Sequence, residues 1–535
     1  MNQQNNNQSQ PTNNEIQPLL NAFNNRNFDE AIKVGKILLD KYPNAFFIHN
    51  LLGSCYANLG QIVESIVFFR KAYDLEPGIP ETCSNLAMAL QQQKKYDEAV
   101  MYFEKSLKLK NDIPEIHYNF AVCLANSGKN EAAINSYKKA IELKPDFSFA
   151  YYNLGLLLWG AKSFKESIDY LSKANTISPK NAEILASLGA VNKSAGNLKE
   201  AEEKTREAIK LKIDPKFKFN LATIMRDQGI LDEARKLYEE TILIDSNFVE
   251  AYNNLGEVLR DQGKSDVAKD FFQKALEIDE NFSMANYNLG ILYQDANQLD
   301  KALNYFNKSK VFDWQQRICY CAYKSSNFKL FSSMFDQIRK YEHHSPLIAS
   351  ISTHYSLNNK IEDEYNFCPN PFDFINNISL DSLSGEKSTH RDELIDDLNK
   401  TEIAERKQGR LINGIQSAGN LFKRDEKSFR LLAGLILVEI DNYISKFKQN
   451  SCDFINSFPE KPEFQSSWYV KMKQSGHLTS HIHETGWLSG VLYLKIPIKK
   501  EKPEEGSIEF GFDGDSYPKN LDLPKKKFNV EVGDL

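Results

Sequence analysis

A small residue returns every 34 positions: Ala31, Ser65, Ala99, Ala133, Ser167, Ala201, Ala234, Ala268 and Ala302, with one step of 33. A second ladder runs in the same steps through Gly53, Ala87, Ala121, Gly155, Gly189, Ala222, Gly256 and Gly290. A third, Pro43, Pro77, Pro145 and Pro179, is replaced elsewhere by Asn111, Ile213, Ser246 and Glu280. Small side chains at two fixed places let paired helices approach closely. Bulky residues four positions after the first ladder (Phe69, Phe103, Tyr137, Tyr238, Phe272 and Phe306) are expected to fill the gap to the next repeat. Where proline is present it ends the second helix of its block. Such a block cannot bury its apolar face alone, so the chain must stack its blocks side by side.

A helix–turn–helix unit of this length and pattern resembles the tetratricopeptide repeat, and the likeness covers roughly residues 15–310. Residues 311–342 keep helical patterning without the ladder and read as a degenerate repeat that caps the stack. The expected organisation is a polar tail at 1–14, an α-solenoid of eight or nine repeats plus cap at 15–342, a linker at 343–368, and an α+β domain at 369–535.

Composition narrows the function classes. A formal charge of -6 over 535 residues gives no electrostatic case for nucleic acid or an anionic membrane as partner. The longest apolar stretch, around Leu431–Val438, is far shorter than the ~20 residues needed to cross a bilayer. The opening MNQQNNNQSQPTNN lacks the charged and apolar regions of a secretory signal and reads as a disordered tail. Seven scattered cysteines suit a reduced cytoplasm. Cys55 and Cys123 fall where a small hydrophobe is wanted. Cys319 and Cys321 take the same reading, with metal binding as the alternative.

Two residues before the Gly/Ala ladder, asparagine recurs at Asn85, Asn119, Asn153, Asn220, Asn254 and Asn288; Leu51 and Ser187 break the series. Each lies on the first helix of its repeat. An amide both donates and accepts, so a row of them can pair with the backbone of an extended peptide whatever its sequence. The row resembles the asparagine ladder in the repeats of O-GlcNAc transferases, which implies a protein or peptide ligand in the groove. The alternative is that these amides only cap or solvate their helices.

Beyond the linker the pattern changes. Lys427–Lys448 reads as an amphipathic helix with Phe429, Leu432, Leu435, Ile436, Ile440, Tyr443 and Phe447 on one stripe. Alternating segments SSWYVKMK, HLTSHIH, LSGVLYLKIP, GSIEFGF and FNVEV then read as strands, with turns at QSG, ETG and DGD. A helix backed by many short antiparallel strands suggests a double-sheet jelly roll.

His481 and His483 carry the chemistry. Two apart on a strand, they face the same side about 7 Å apart at the backbone, which lets two imidazoles converge on one cation. His477 would sit roughly 13 Å away and is left out. Alone, such a pair also fits a buried or solvated couple. The segment SSWYVKMKQSGHLTSHIHETGWLSGVLYLKIP, with EEGSIEF and VEVGDL after it and NFCPNPFDFI and GIQSAGNLF before it, resembles the iron(II)/2-oxoglutarate oxygenase modules fused to tetratricopeptide repeats. That resemblance implies a dioxygenase with Fe(II) as cofactor and 2-oxoglutarate as co-substrate, with His481 and His483 as ligands. Residue 483 departs from the commoner H-x-D/E form, and Glu484 is the alternative anionic ligand. A third ligand and a co-substrate-binding arginine are expected after a GDL turn, here Gly533, Asp534 and Leu535, so the chain reads as truncated. Trp487, Leu488, Val491 and Tyr493 are candidates to line the pocket, with Tyr493 as a hydrogen-bond partner of the co-substrate and core packing as the alternative for all four. KIPIKKEKPEEG reads as a flap or a surface loop. The competing classes are a scaffold whose terminal module is inactive, a cupin (disfavoured by Trp487 and Leu488 where that family places glutamate) and, last, a glycosyltransferase.

Overall fold

A computed structural model describes residues 10–311, 313–340, 345–385, 387–401, 403, 405–406, 411–417, 420–478, 487–496, 506–512 and 517–535. The chain divides into two compact units, Met1–Ala195 and Gly196–Leu535.

The first unit is helix–turn–helix throughout its described length. Its helices are α1 (Asn13–Asn24), α2 (Phe28–Lys41), α3 (Phe46–Asn58), α4 (Ile62–Leu75), α5 (Pro80–Gln92), α6 (Tyr96–Leu109), α7 (Pro114–Asn126), α8 (Asn130–Leu143), α9 (Ser148–Gly160), α10 (Phe164–Ile177) and α11 (Ala182–Ser194). The ladders meet inside each hairpin. A Cβ on Gly53 would lie 2.7 Å from the Phe69 ring, and one on Gly155 would lie 2.7 Å from Leu171. The bulky residue therefore fills the gap within its own repeat, against the glycine of the preceding helix. Where the small-residue ladder carries serine, its hydroxyl donates to the glycine's carbonyl: Ser65 to Gly53 at 2.8 Å and Ser167 to Gly155 at 2.7 Å. These bonds satisfy buried hydroxyls that would otherwise cost stability.

The turn inside each hairpin passes through the left-handed region. Gly60 and Gly128 occupy it freely, while Lys94 and Lys162 hold the equivalent place at φ 60°. This fourth ladder is hidden in the sequence because glycine fills only some of its rungs.

The second unit continues the motif with α12 (Leu198–Leu211), α13 (Pro215–Asp227), α14 (Leu231–Ile244), α15 (Val249–Asp261), α16 (Ser265–Ile278), α17 (Ser283–Asp295) and α18 (Leu299–Ser309). Gly256 and Gly290 seat Phe272 and Phe306, with 2.6 Å from an added Cβ to either ring. The one 33-residue step is absorbed between helices: residues 212–214 join α12 to α13, whereas residues 245–248 join α14 to α15. Asp214 closes the shorter joint by accepting a 2.9 Å bond from the Lys216 amide.

The hairpin of α19 (Trp314–Lys324) and α20 (Phe328–Ile338) forms the degenerate repeat. A further helix, α21 (Pro346–Asn359), occupies most of the stretch read as a linker. It starts on proline, with Ser345 capping the Ile348 amide at 3.3 Å. Ile348 and Ile351 pack with Phe331 and Phe335 in one core.

After it come α22 (Thr389–Lys400), β1 (Glu405–Arg406), β2 (Leu411–Ser417), α23 (Lys427–Phe447), α24 (Asp453–Asn456), β3 (Val470–Leu478), β4 (Ser507–Gly511) and β5 (Lys525–Asn529). Helix α23 matches the expected amphipathic helix. Phe429 and Leu432 join one core with Leu383 and Leu394, while Tyr443 and Phe447 join another with Phe367 and Phe454. Strands β1, β2 and β3 form one antiparallel sheet, and β4 and β5 form a two-stranded one.

Three strand expectations need correction. QSG, read as a turn, lies inside β3, because β2 pairs along both sides of it, from Gln416↔Val470 to Leu411↔Leu478. The register shifts there: the two steps from Ile412 to Gly414, through Asn413 at φ 53°, face the five from His477 to Met472. Residues 488–496 make no regular strand, although Tyr493 exchanges backbone bonds with Asp534 (3.0 Å) and Gly533 (2.8 Å). FNVEV begins late, since β5 has ended by Asn529. The described strands give antiparallel sheets of three and two strands beside the helices.

Candidate functional site

The asparagine series falls on α5, α7 and α9 of the first unit and on α13, α15 and α17 of the second. Most of these amides are half-exposed. In the first unit Asn153 donates to the Tyr118 hydroxyl at 2.8 Å and Asn85 to Asn50 at 3.4 Å. In the second, Asn254 donates to the Tyr238 hydroxyl at 3.4 Å. Asn119 and Asn220 have no side-chain partner among the described residues. Asn288 differs: it is 2% exposed, donates to Asn253 (2.9 Å) and Glu257 (3.0 Å), and accepts from Arg260 (3.2 Å). Its amide is committed inside the protein.

Around Asn288 lies a charged network that sequence reading missed. Arg226 pairs with Glu257 and, at 3.7 Å, with Asp261. Burial opposes the Arg226 charge, but Glu257 and Asp261 more than offset it and hold the guanidinium above its ordinary value. The signal was present in the sequence. Arg-Asp-Gln-Gly occurs at 226–229 and again at 260–263, one repeat apart.

β3 ends at Leu478, three residues short of His481. His481, His483 and Glu484 lie outside the described residues, as does 497–505 within the expected flap. Among the described residues no group of three or more His, Cys, Asp or Glu is placed to hold a metal ion. The donor pair that the sequence offers is of the kind ferrous iron accepts.

The neighbouring candidates divide. The Trp487 ring lies tilted, 5.4 Å from that of Phe367, and Leu488 joins the same core, so both pack the fold. Val491 is 47% exposed. Tyr493 is half-buried, and that burial pushes its hydroxyl pKa up. Its main chain holds Gly533 and Asp534, while Leu380 and Ile378 bond to the other edge of the GDL segment through Gly533 (2.9 Å) and Leu535 (2.8 and 3.1 Å). Gly533 has φ 94°, and an added Cβ would come within 2.8 Å of the Ser384 amide, so only glycine fits there.

Cys319 and Cys321 are buried in α19, Cys55 and Cys123 in repeat helices. Burial pushes the thiols of Cys55 and Cys123 up to about 11, and those of Cys319 and Cys368 up to about 12. Thiolate is the reactive form, so burial that disfavours it slows alkylation. Iodoacetamide at pH 8 is expected to leave these four cysteines unmodified while it alkylates the denatured chain fully. Peptide mapping by mass spectrometry reads the result. Modification of Cys319 at the denatured rate would contradict the packing of α19.

Comparison with known proteins agrees with the repeats and names the module. The family described as "TPR repeat" matches residues 123–161. Families described as "Tetratricopeptide repeat" match 20–80, 80–112, 150–181, 218–281 and 249–310. The family described as "Putative 2OG-Fe(II) oxygenase" matches 466–535. No curated protein matches the chain. Similar solved structures include YrrB, titled a TPR protein with an unusual peptide-binding site (25% identity, TM-score 0.30, 34% of this chain and 95% of that one). MamA is similar at 25% identity and TM-score 0.29 over 30% of this chain and 95% of that one. Yeast Tom70 is similar at 15% identity and TM-score 0.37 over 62% of this chain and 92% of that one.

Proposed function

We propose that this chain, a fusion of tetratricopeptide repeats across residues 20–310 with an oxygenase-family segment at 466–535, is an iron(II)- and 2-oxoglutarate-dependent hydroxylase that acts on polypeptides. One observation carries the reading: the matched segment contains both His481 and His483, two residues apart and directly downstream of β3. Both imidazoles would hold the iron, with Glu484 as the alternative donor, and a jelly roll would be the frame that aims them. When bound, iron(II) would activate dioxygen, the oxidant, with 2-oxoglutarate as the co-reductant that leaves as succinate and carbon dioxide, so that a C–H bond is hydroxylated. The chain's own contribution is orientation and exclusion of water. Tyr493 would bind the co-substrate in this reading, and its half-buried position supports that role. Burial keeps that hydroxyl protonated and able to donate.

In the same proposal the repeats hold the substrate polypeptide through the half-exposed amides of Asn85, Asn119 and Asn153 in the first unit and Asn220 and Asn254 in the second. Asn288 already spends its donors and acceptor on neighbours. No helix among the described residues is long and apolar enough to cross a membrane, and the cytoplasm is the proposed location.

Iron-dependent release of succinate from 2-oxoglutarate tests the chemistry. Its absence would leave a docking scaffold with an inactive terminal module. The groove is tested separately. Each backbone bond is worth about 1 kcal/mol. Alanine at both Asn119 and Asn153 is therefore expected to weaken peptides selected from a random library by roughly 10- to 30-fold, whatever their sequences. Affinities unchanged by the double substitution would move the ligand elsewhere.

A further inference from the structure

The cap formed by α19 and α21 already carries a bound segment. Residues 517–521 (Tyr-Pro-Lys-Asn-Leu), between β4 and β5, lie across it. Asn358 of α21, 4% exposed, donates from Nδ2 to the Pro518 carbonyl at 2.9 Å. Its Oδ1 accepts from the Asn520 and Leu521 amides at 2.7 and 3.3 Å. Every one of these bonds goes to the segment's main chain, as in sequence-tolerant peptide recognition.

Specificity comes from Tyr517, which is 6% exposed. Its ring sits edge-on to Tyr320, Tyr323 and His354, at centroid distances of 5.9, 5.3 and 5.0 Å. The socket is rigid: His354 Nδ1 and the Tyr323 hydroxyl share a 2.6 Å bond and both residues are fully buried. A large aromatic ring in a prepared, desolvated socket is the usual energetic anchor of an interface. Lys519 and Asn520 are exposed, so their side chains add little.

We infer that the α19–α21 cap is a recognition site for a tyrosine-proline segment, filled in cis by residues 517–521, which thereby latch the β4–β5 hairpin to the helical cap. The inference is independent of the iron chemistry and of the asparagine row. Tethering gives the cis segment a high effective concentration, so a free peptide competes poorly until the latch is released.

The test uses the full chain and a labelled peptide, Asp-Ser-Tyr-Pro-Lys-Asn-Leu-Asp-Leu, corresponding to residues 515–523. Fluorescence anisotropy should show the peptide binding a Tyr517→Ala variant at least ~10-fold more tightly than the native chain. Replacing the peptide's tyrosine with alanine, or adding Asn358→Ala to the variant, should abolish that gain. Equal affinity for native and variant chains, or binding indifferent to the tyrosine, would overturn the inference. Should Tyr517→Ala fail to fold, Asn358→Asp keeps the shape and the acceptor but removes the donor to Pro518. Amide exchange across 507–529 should then quicken by about tenfold; an unchanged rate would equally reject the latch.

Discussion

Truncating Phe272 to alanine is expected to destabilise the second unit by about 3–5 kcal/mol. The ring is fully buried and rests on Gly256, where no side chain can move in to refill the space. Neighbouring helices cannot close the gap, because their own packing against Ala251, Leu255 and Ala268 fixes the separation. In a stacked array each repeat is held only by its neighbours, so a defect between α15 and α16 should also weaken the hairpins on either side. Urea unfolding of the native and substituted chains, followed by circular dichroism, gives the comparison. A loss below about 1 kcal/mol would mean that the glycine–aromatic joint does not bear the packing assigned to it.

Changing His481 to alanine is expected to reduce iron-dependent succinate formation by at least ~100-fold, since removing one imidazole from a sparse donor set also releases the metal. Loss of iron binding, read by equilibrium dialysis, should accompany the loss of turnover. His483→Asp is the informative partner. It restores the commoner histidine–carboxylate pairing and should keep activity within about tenfold of the native chain. Glu484→Gln should matter only if that carboxylate is the anionic ligand. Undiminished turnover in the His481 variant would remove the iron-site assignment, and equal losses at 481 and 484 would move the second ligand by one residue.

The repeats were legible because packing is written into residue size. Gly53 with Phe69 and Gly290 with Phe306 recur at fixed offsets, and size survives as a signal when chemistry varies. The turn ladder was not legible at Lys94 and Lys162, where a strained residue stands in for glycine. Helix α21 was hidden by its own buried face, which includes Ser352, His354, Ser356 and Asn358. Polar residues of that kind read as a connector until their partners are known, and Asn358's partners lie 160 residues or more away. The turn read at QSG failed for a related reason. A glycine between polar residues suggests a break, but pairing with β2 on both sides carries β3 through it. Of the candidate site, spacing revealed the histidine pair; the Arg226–Glu257–Asp261 cluster needed three dimensions, although its repeated tetrapeptide was in view.

The short joint at residues 212–214 shows where this architecture tolerates length changes. Losing a residue there shifts neither the Gly256–Phe272 seat nor its equivalents, because those seats lie within hairpins and the joint lies between them. Helices keep their phase while linkers vary at little entropic cost. The pitch between adjacent hairpins is therefore an evolutionary dial that turns without touching any core. A residue gained or lost at such a joint changes how one hairpin follows the next and leaves the packed rings inside each hairpin where they were.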